Sequence, residues 1–470
     1  MVGPSCVFRP LHDSKSPTLT VVALLSVLSS LVACDESQRD GSDQSRDDGG
    51  TTPSAQLVES VRDQMDRHGV ERIRAAPAVS PAMYALGQAL AFDKLLSGNE
   101  NISCLTCHHP SAGSDDDRAL SLGEGGIGLG PDRTEGPIVP RNAPALFNLY
   151  TYDTMFWDSR VSQGPGDSLR TPAGDQLTAD MVEVFDHGVV SAQAMFPVTS
   201  REEMRGEPGD NELADLADDD FTGIWAGLMA RLGGVPQYIE MFEAAYPGTD
   251  FEEMSFAHAA NAIAAFEIVG FESRDSPWER LVAGNDAALE TDQLEGALLF
   301  FDNCAQCHAG STFSDFRHHN TGLAQFGPGK GDGPSGTDDF GRERVTGNAN
   351  DRYAFRTPPL FNVELTAPFG HAGQYAELDE HIAHYIRPDQ VLRGYEIAEH
   401  VDDSALWPLM VDTTEALLAS LSRDANTDLD GHGNDLALVE RFLQGLTGDG
   451  ARDLSALVPQ TVPSGLPVED

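Results

Sequence analysis

The chain is 470 residues long and 40% hydrophobic, which is enough to bury sizeable cores and to form roughly two to four domains, and excludes a disordered polyanion. Its formal charge of −45 argues against nucleic acid and for a neutral or basic partner steered in by charge, although a saline habitat accounts for the same surface.

Arg9 and Lys15 precede an apolar run over 19–32 that meets Ala33 and Cys34, which predicts an export signal over 1–33. Leu31-Val32-Ala33-Cys34 resembles a bacterial lipobox, in which Cys34 becomes lipidated and ties the mature chain to a membrane. An ordinary signal peptide, with Cys34 incidental, is the competing reading. No later stretch is long and apolar enough to span a bilayer. Residues 34–55 are rich in Ser, Asp and Gly and read as a flexible tether.

Helical patterns follow at about 57–75 and 85–96, the second ending just before Cys104-Leu105-Thr106-Cys107-His108. Two cysteines two residues apart with a histidine directly after are the attachment site of a c-type haem. The thiols add to the porphyrin vinyl groups, and the imidazole becomes the proximal iron ligand. Residues 110–140, rich in Gly, Asp and Pro, read as a long loop. A polar insertion over 161–190 and an acidic loop over 204–220 come next, and from Phe221 the pattern is helical again, most clearly over 256–271.

An amphipathic helix over 291–301 delivers Cys304-Ala305-Gln306-Cys307-His308, a second copy of the haem motif. A loop over 327–341, a helix containing Tyr385, and helices over 412–421 and 436–446 complete the chain. Residues 426–431 imitate the front of a calcium loop, but Ala437 stands where the closing glutamate belongs, so a turn is expected. With Cys6 in the signal and Cys34 at the lipid site, the other four of six cysteines belong to the two haem motifs. The zinc alternative is weak: ribbon pairs lie about 15–20 residues apart and need no following histidine. The expected fold is mainly α: two cytochrome c-like haem domains, 56–285 and 286–470, with long loops and a haem–haem interface.

From 85 to about 446 the chain resembles the bacterial di-haem cytochrome c peroxidases and their MauG-type relatives, and is closer to MauG at the C-terminal haem. The resemblance rests on Ile102-Ser103-Cys104, Arg141-Asn142-Ala143-Pro144, Phe156-Trp157-Asp158-Ser159-Arg160 and Phe196-Pro197 with Glu203-Met204. In the second half it rests on Arg356-Thr357-Pro358 and Leu365-Thr366-Ala367-Pro368-Phe369-Gly370-His371. It implies a peroxidatic haem on the N-terminal motif, an electron-transfer haem on the C-terminal one, and Trp157 between them.

Gln193, Pro197 and Glu203 match the family's distal set. Chemically, a carboxylate over the iron can take the proton of hydrogen peroxide and return it to the leaving oxygen, which assigns Glu203, with Gln193 orienting the peroxide; Glu202 is the competitor. Typical peroxidases carry a capping histidine after the first motif, and here none occurs over 110–156, so an open ferric iron needing no reductive activation is expected. Tyr385 falls where typical peroxidases place methionine and MauG-type enzymes tyrosine; as an oxygen ligand it lowers the potential of the second iron. Asn142, Thr366 and Pro368 match the ligands of an inter-haem calcium. Asp302 and Asn303 stand where MauG-type enzymes carry a surface tryptophan, which puts hole transfer to a protein by that route in doubt.

The implied function is a periplasmic di-haem peroxidase that uses hydrogen peroxide, through a high-valent iron state, to oxidise a partner protein or small redox protein. A typical detoxifying cytochrome c peroxidase and a non-catalytic di-haem electron carrier are the alternatives.

Overall fold

Two helix pairs, built alike, organise the protein. The computed structural model describes residues 54–469 except 167, 428 and 430–433. The expected export signal, Cys34, most of the tether and part of the calcium-like turn lie outside the described residues. Ser54 caps α1 (Ala55–Arg67) by accepting from the Leu57 amide. That helix stops well before residue 75, because Gly69 takes a left-handed φ of 64° and the chain then runs extended to Ser80. Ser80 caps α2 (Pro81–Phe92), whose first residue is the proline favoured there. The motif turn α3 (Cys104–Cys107) and the short α4 (Val189–Gln193) follow. After them come α5 (Phe221–Gly233), α6 (Pro236–Ala245), α7 (Phe256–Gly270), α8 (Thr291–Asn303), α9 (Leu378–His384) and α10 (Asn434–Gln444).

Helix α2 packs on α7, and α8 packs on α10, through the same device. A Cβ on Gly87 would sit 1.8 Å from the Ala262 carbonyl oxygen and 2.9 Å from Phe266 Cβ. A Cβ on Gly296 would sit 1.8 Å from the Leu438 carbonyl oxygen and 3.0 Å from Phe442 Cβ. Glycine lets each helix backbone touch its partner, and a phenylalanine one turn on closes the gap. The rings of Phe92 and Phe266, and of Phe300 and Phe442, then meet at 6.1 and 5.0 Å.

The segments that follow the two haem motifs are also alike. Pro144-Ala145-Leu146-Phe147-Asn148 and Pro358-Pro359-Leu360-Phe361-Asn362 each end on a buried asparagine at φ 55°. The Asn148 amide donates to the Phe271 carbonyl and the Asn362 amide to the Leu446 carbonyl, so each strap is tied to the end of the closing helix, α7 or α10. The chain ends cross between the halves. Helix α1 packs against α8, while Gln88 donates to the Leu457 carbonyl at 2.8 Å and Ser464 to Asp93 at 2.7 Å.

Strand is scarce, as expected. β1 (Thr154–Met155), β2 (Val161–Gln163) and β3 (Leu169–Arg170) form a small antiparallel sheet, and β4 (His318–His319) pairs with β5 (Phe355–Arg356). The loop over 110–140 is pinned from within by Arg133, which donates to the carbonyls of Leu122, Gly123 and Gly128 at 2.7–2.8 Å. Among the described residues no helix is long and apolar enough to cross a membrane.

Candidate active site

Each haem motif faces a cavity of its own, so the two cysteine pairs do not meet in one four-cysteine zinc site. The open space is about 1220 Å³ around Cys104, Cys107 and His108 and about 1820 Å³ around Cys304, Cys307 and His308. All four cysteines are free thiols. Nδ1 of His108 lies 3.2 Å from the Ser114 carbonyl oxygen, and Nδ1 of His308 lies 2.8 Å from that of Phe313. A carbonyl partner holds the proton on Nδ1 and leaves Nε2 to a metal. Burial disfavours the imidazolium at both, and holds His108 down at about 4.

Gln193, Pro197 and Glu203 line the first cavity together, despite the insertion before them. Gln193 is the last residue of α4, Pro197 opens a single 3₁₀ turn, and Glu203 lies in a π-helical turn, Arg201–Arg205, capped by the Ser200 hydroxyl. Turns of that kind are rare and concentrate at functional sites. The turn separates the two glutamates: Glu203 is half-buried at the cavity and Glu202 is exposed outside it. His108 is the one histidine among the described residues lining this cavity.

In the second cavity Tyr385 lies in the same lining as His308. It is the residue just after α9, and burial pushes its phenol up. His384 points elsewhere, with Nδ1 at 2.9 Å from the Tyr375 hydroxyl and Nε2 at 2.7 Å from the Thr321 carbonyl oxygen, so neither nitrogen is free. His381, one turn earlier, shares the cavity, and its Nε2 lies 3.5 Å from the Tyr385 hydroxyl.

A common wall separates the cavities. Trp157, Asn142, Pro144 and Arg356 line both. Trp157 donates from its indole nitrogen to the Asn142 carbonyl at 2.9 Å and accepts at its own carbonyl from the Arg356 amide at 2.8 Å. It follows Phe156, a non-glycine residue at φ 69° that is held by the Arg160 guanidinium 3.4 Å above its ring. Behind the wall Arg141 bridges Asp158 at 2.7 Å and Asp339 at 2.6 Å, all three buried, which ties the loop of the second half to the first. Burial opposes ionisation of both acids, but Arg141 holds them well below the usual carboxylate range.

Asn142, Thr366 and Pro368 all line the second cavity. The Asn142 side-chain nitrogen donates to the Arg118 carbonyl at 3.1 Å, while its side-chain oxygen and the Thr366 and Pro368 carbonyls accept no hydrogen bond from the described residues. Three free oxygens suit a hard cation.

Arg356 belongs to a motif picked out in the sequence, but its role was not legible there. It is 4% exposed, its side chain donates to the Phe156 and Thr357 carbonyls, and among the described residues no carboxylate pairs with it. A buried cation without a counter-ion is costly, and the carboxylates of haem groups in the two cavities would supply one. With the paired thiols and the imidazoles held by carbonyls, this makes the residues present fit two covalent haems. Glu267 of α7 and His381 lie in the cavities without having been singled out. Superposing Gly87-to-Phe266 on Gly296-to-Phe442 would have found Glu267; His381 carries no comparable signal.

A mainly helical chain with two c-type haem motifs facing separate cavities across a shared wall defines a di-haem cytochrome c enzyme. The profile of the di-haem cytochrome c peroxidase family matches residues 81–287. The chain is 31% identical to the cytochrome c551 peroxidase of Pseudomonas aeruginosa over 67% of its length and 74% of that protein. It is 30% identical to the methylamine utilization protein MauG of Methylorubrum extorquens, over 66% of this chain and 70% of that one. Among solved structures, a MauG-like protein associated with microbial copper homeostasis aligns with a TM-score of 0.55 at 26% identity, covering 82% of this chain and 94% of that one. The chain belongs to the di-haem cytochrome c peroxidase family, oxidoreductases that act on peroxide.

Proposed function

We propose that the protein uses hydrogen peroxide at the His108 side, without prior reduction, and passes the oxidising equivalents by way of Trp157 to the His308/Tyr385 side. The observation that carries this reading is the first cavity's lining: Gln193, Pro197 and Glu203 share it, and among the described residues it holds no histidine besides His108. Bound haem supplies the iron that binds peroxide and the electrons that cleave it. Glu203, half-buried, takes the proton of the incoming peroxide, and Gln193 orients the peroxide by hydrogen bonding. His108 holds its proton on Nδ1 against Ser114, which keeps Nε2 available. Trp157, fixed by Asn142 and Arg356, fills the wall between the sites.

Tyr385 favours the MauG-like variant of this chemistry, in which a partner protein or small redox protein is oxidised. An oxygen ligand makes the second site a poor inlet for electrons from a high-potential donor, which weighs against plain detoxification. Asp302 and Asn303, in place of the surface tryptophan, call for an exit to the partner other than the MauG route. Export to the periplasm with lipidation at Cys34, and calcium at Asn142, Thr366 and Pro368, complete the proposal.

The ferric spectrum of the holoprotein tests it. A high-spin component, with a lasting spectral change on adding peroxide and no reductant, is the expected result. Purely low-spin haem would make the protein an electron carrier, and a reaction that waits for one added electron would make it a typical peroxidase.

A further inference from the structure

The helix pairs that close the two cavities cross at matching contacts, a glycine against a backbone carbonyl and a phenylalanine four residues on. With Gly87 set on Gly296 and Phe266 on Phe442, Ile263 falls on Val439 and Glu267 on Leu443. All four of these last residues line their own cavities. The one change of chemistry is Glu267, a carboxyl where the second half has an isobutyl group. Glu267 is 5% exposed, and its Oε2 is buried without a hydrogen-bond partner among the described residues. Leu443 shows that the packing does not need a carboxyl at this position. A buried polar group without a partner is destabilising, so its presence in the first cavity alone calls for a chemical reason.

We propose that Glu267 is the acid of the peroxide site, donating the proton that lets the leaving oxygen depart as water while Glu203 serves as the base. The inference rests on the reading of the first cavity given above, and it divides between two residues the tasks that reading leaves on one. The two carboxyls share one cavity in unlike settings: Glu203 half-buried in a polar turn, Glu267 closed off on an alanine-rich helix. Such a difference in environment separates a base from an acid. Burial pushes the Glu267 carboxyl up to about 8, with no charged neighbour offsetting it, so it carries its proton at neutral pH.

The step balances. Peroxide gives one proton to the Glu203 carboxylate as it binds. With haem bound, the O–O bond would break with two electrons drawn from the haem groups, the inner oxygen would stay with the haem, and the outer oxygen would take the Glu267 proton and leave as water. Proton return from Glu203 to Glu267 through cavity water resets the pair.

The test compares wild type with Glu267→Gln and Glu267→Leu holoproteins, the second copying the arrangement at Leu443. Reaction of the ferric protein with hydrogen peroxide should slow on the order of 100-fold in both variants. Reaction with peracetic acid, whose acetate leaving group needs no proton, should stay within about twofold of wild type. The infrared carbonyl band of a neutral buried carboxyl should be present in wild type and lost in Glu267→Gln. Unchanged peroxide rates, equal slowing with both oxidants, or no such band in wild type would overturn the assignment. A wild-type ferric protein inert to peroxide would instead overturn the reading of the first cavity itself.

Discussion

The two cavities share a frame and differ in the side chains that line the rest of them. Each has a cysteine pair, a histidine braced by a carbonyl, a glycine-to-backbone helix crossing, and a strap ending on a left-handed asparagine. Beside His108 the lining holds Gln193, Glu203 and Glu267, groups of a kind that can accept, orient or donate protons. Beside His308 the lining holds Tyr385 and His381, with leucine and valine on the helix face. The frame therefore binds, and the added residues decide the chemistry. On the proposed reading, one half handles the oxygen substrate and the other holds its iron closed.

Glu203→Gln should separate the halves most sharply. Loss of the base should cut the rate of the ferric protein with peroxide by about 10²–10⁴-fold, while the spectrum assigned to the His308 side stays as it was. Stopped-flow mixing with peroxide reads the first effect and the resting spectrum reads the second. A matching loss at both haems would mean that the cavities do not divide the work.

The shared frame itself is open to test. Gly87→Ala and Gly296→Ala each drive a Cβ to within 1.8 Å of a backbone oxygen, so the helix pairs must part. Each should cost about 3 kcal/mol or more in denaturant unfolding, because a backbone atom cannot swing aside as a side chain can. Unequal costs would show that the two pairs, alike in geometry, do not carry equal loads.

Much of this was legible in the sequence because it is local. The haem motifs, the helices that precede them and the long loop over 110–140 follow from spacing and composition. The distal set was legible only through resemblance, since Gln193 and Glu203 reach one cavity across a 3₁₀ turn and a π turn that no periodicity announces. The end of α1 was missed because Gly69 outweighs the apolar pattern beyond it. The likeness of the two halves was hidden because it rests on single glycines and on Leu-Phe-Asn, too short to stand out. Arg356 shows itself by having no carboxylate beside it among the described residues and Glu267 by an unpartnered buried oxygen, properties of space rather than of order along the chain.

The smallest effect concerns charge and separates two kinds of buried acid. Asp158 and Asp339 are buried, yet Arg141 holds both below the usual range, so the stability they lend is lost only as pH falls through those low values. Glu267 has the opposite sign. Its folded-state pKa is raised, so the stability tied to its neutral form is complete below about 4.5 and is lost as pH rises through about 8. Burial also raises Glu279, to about 7, which gives a slope of the same sign, but that residue is present in wild type and variant alike. The difference in thermal midpoint between Glu267→Leu and wild-type holoprotein isolates the one carboxyl. It should widen by a few degrees from pH 5 to pH 8, in favour of the variant. A flat difference would mean that Glu267 finds a partner once the haem is in place, and that the acid in the first cavity is there for structure.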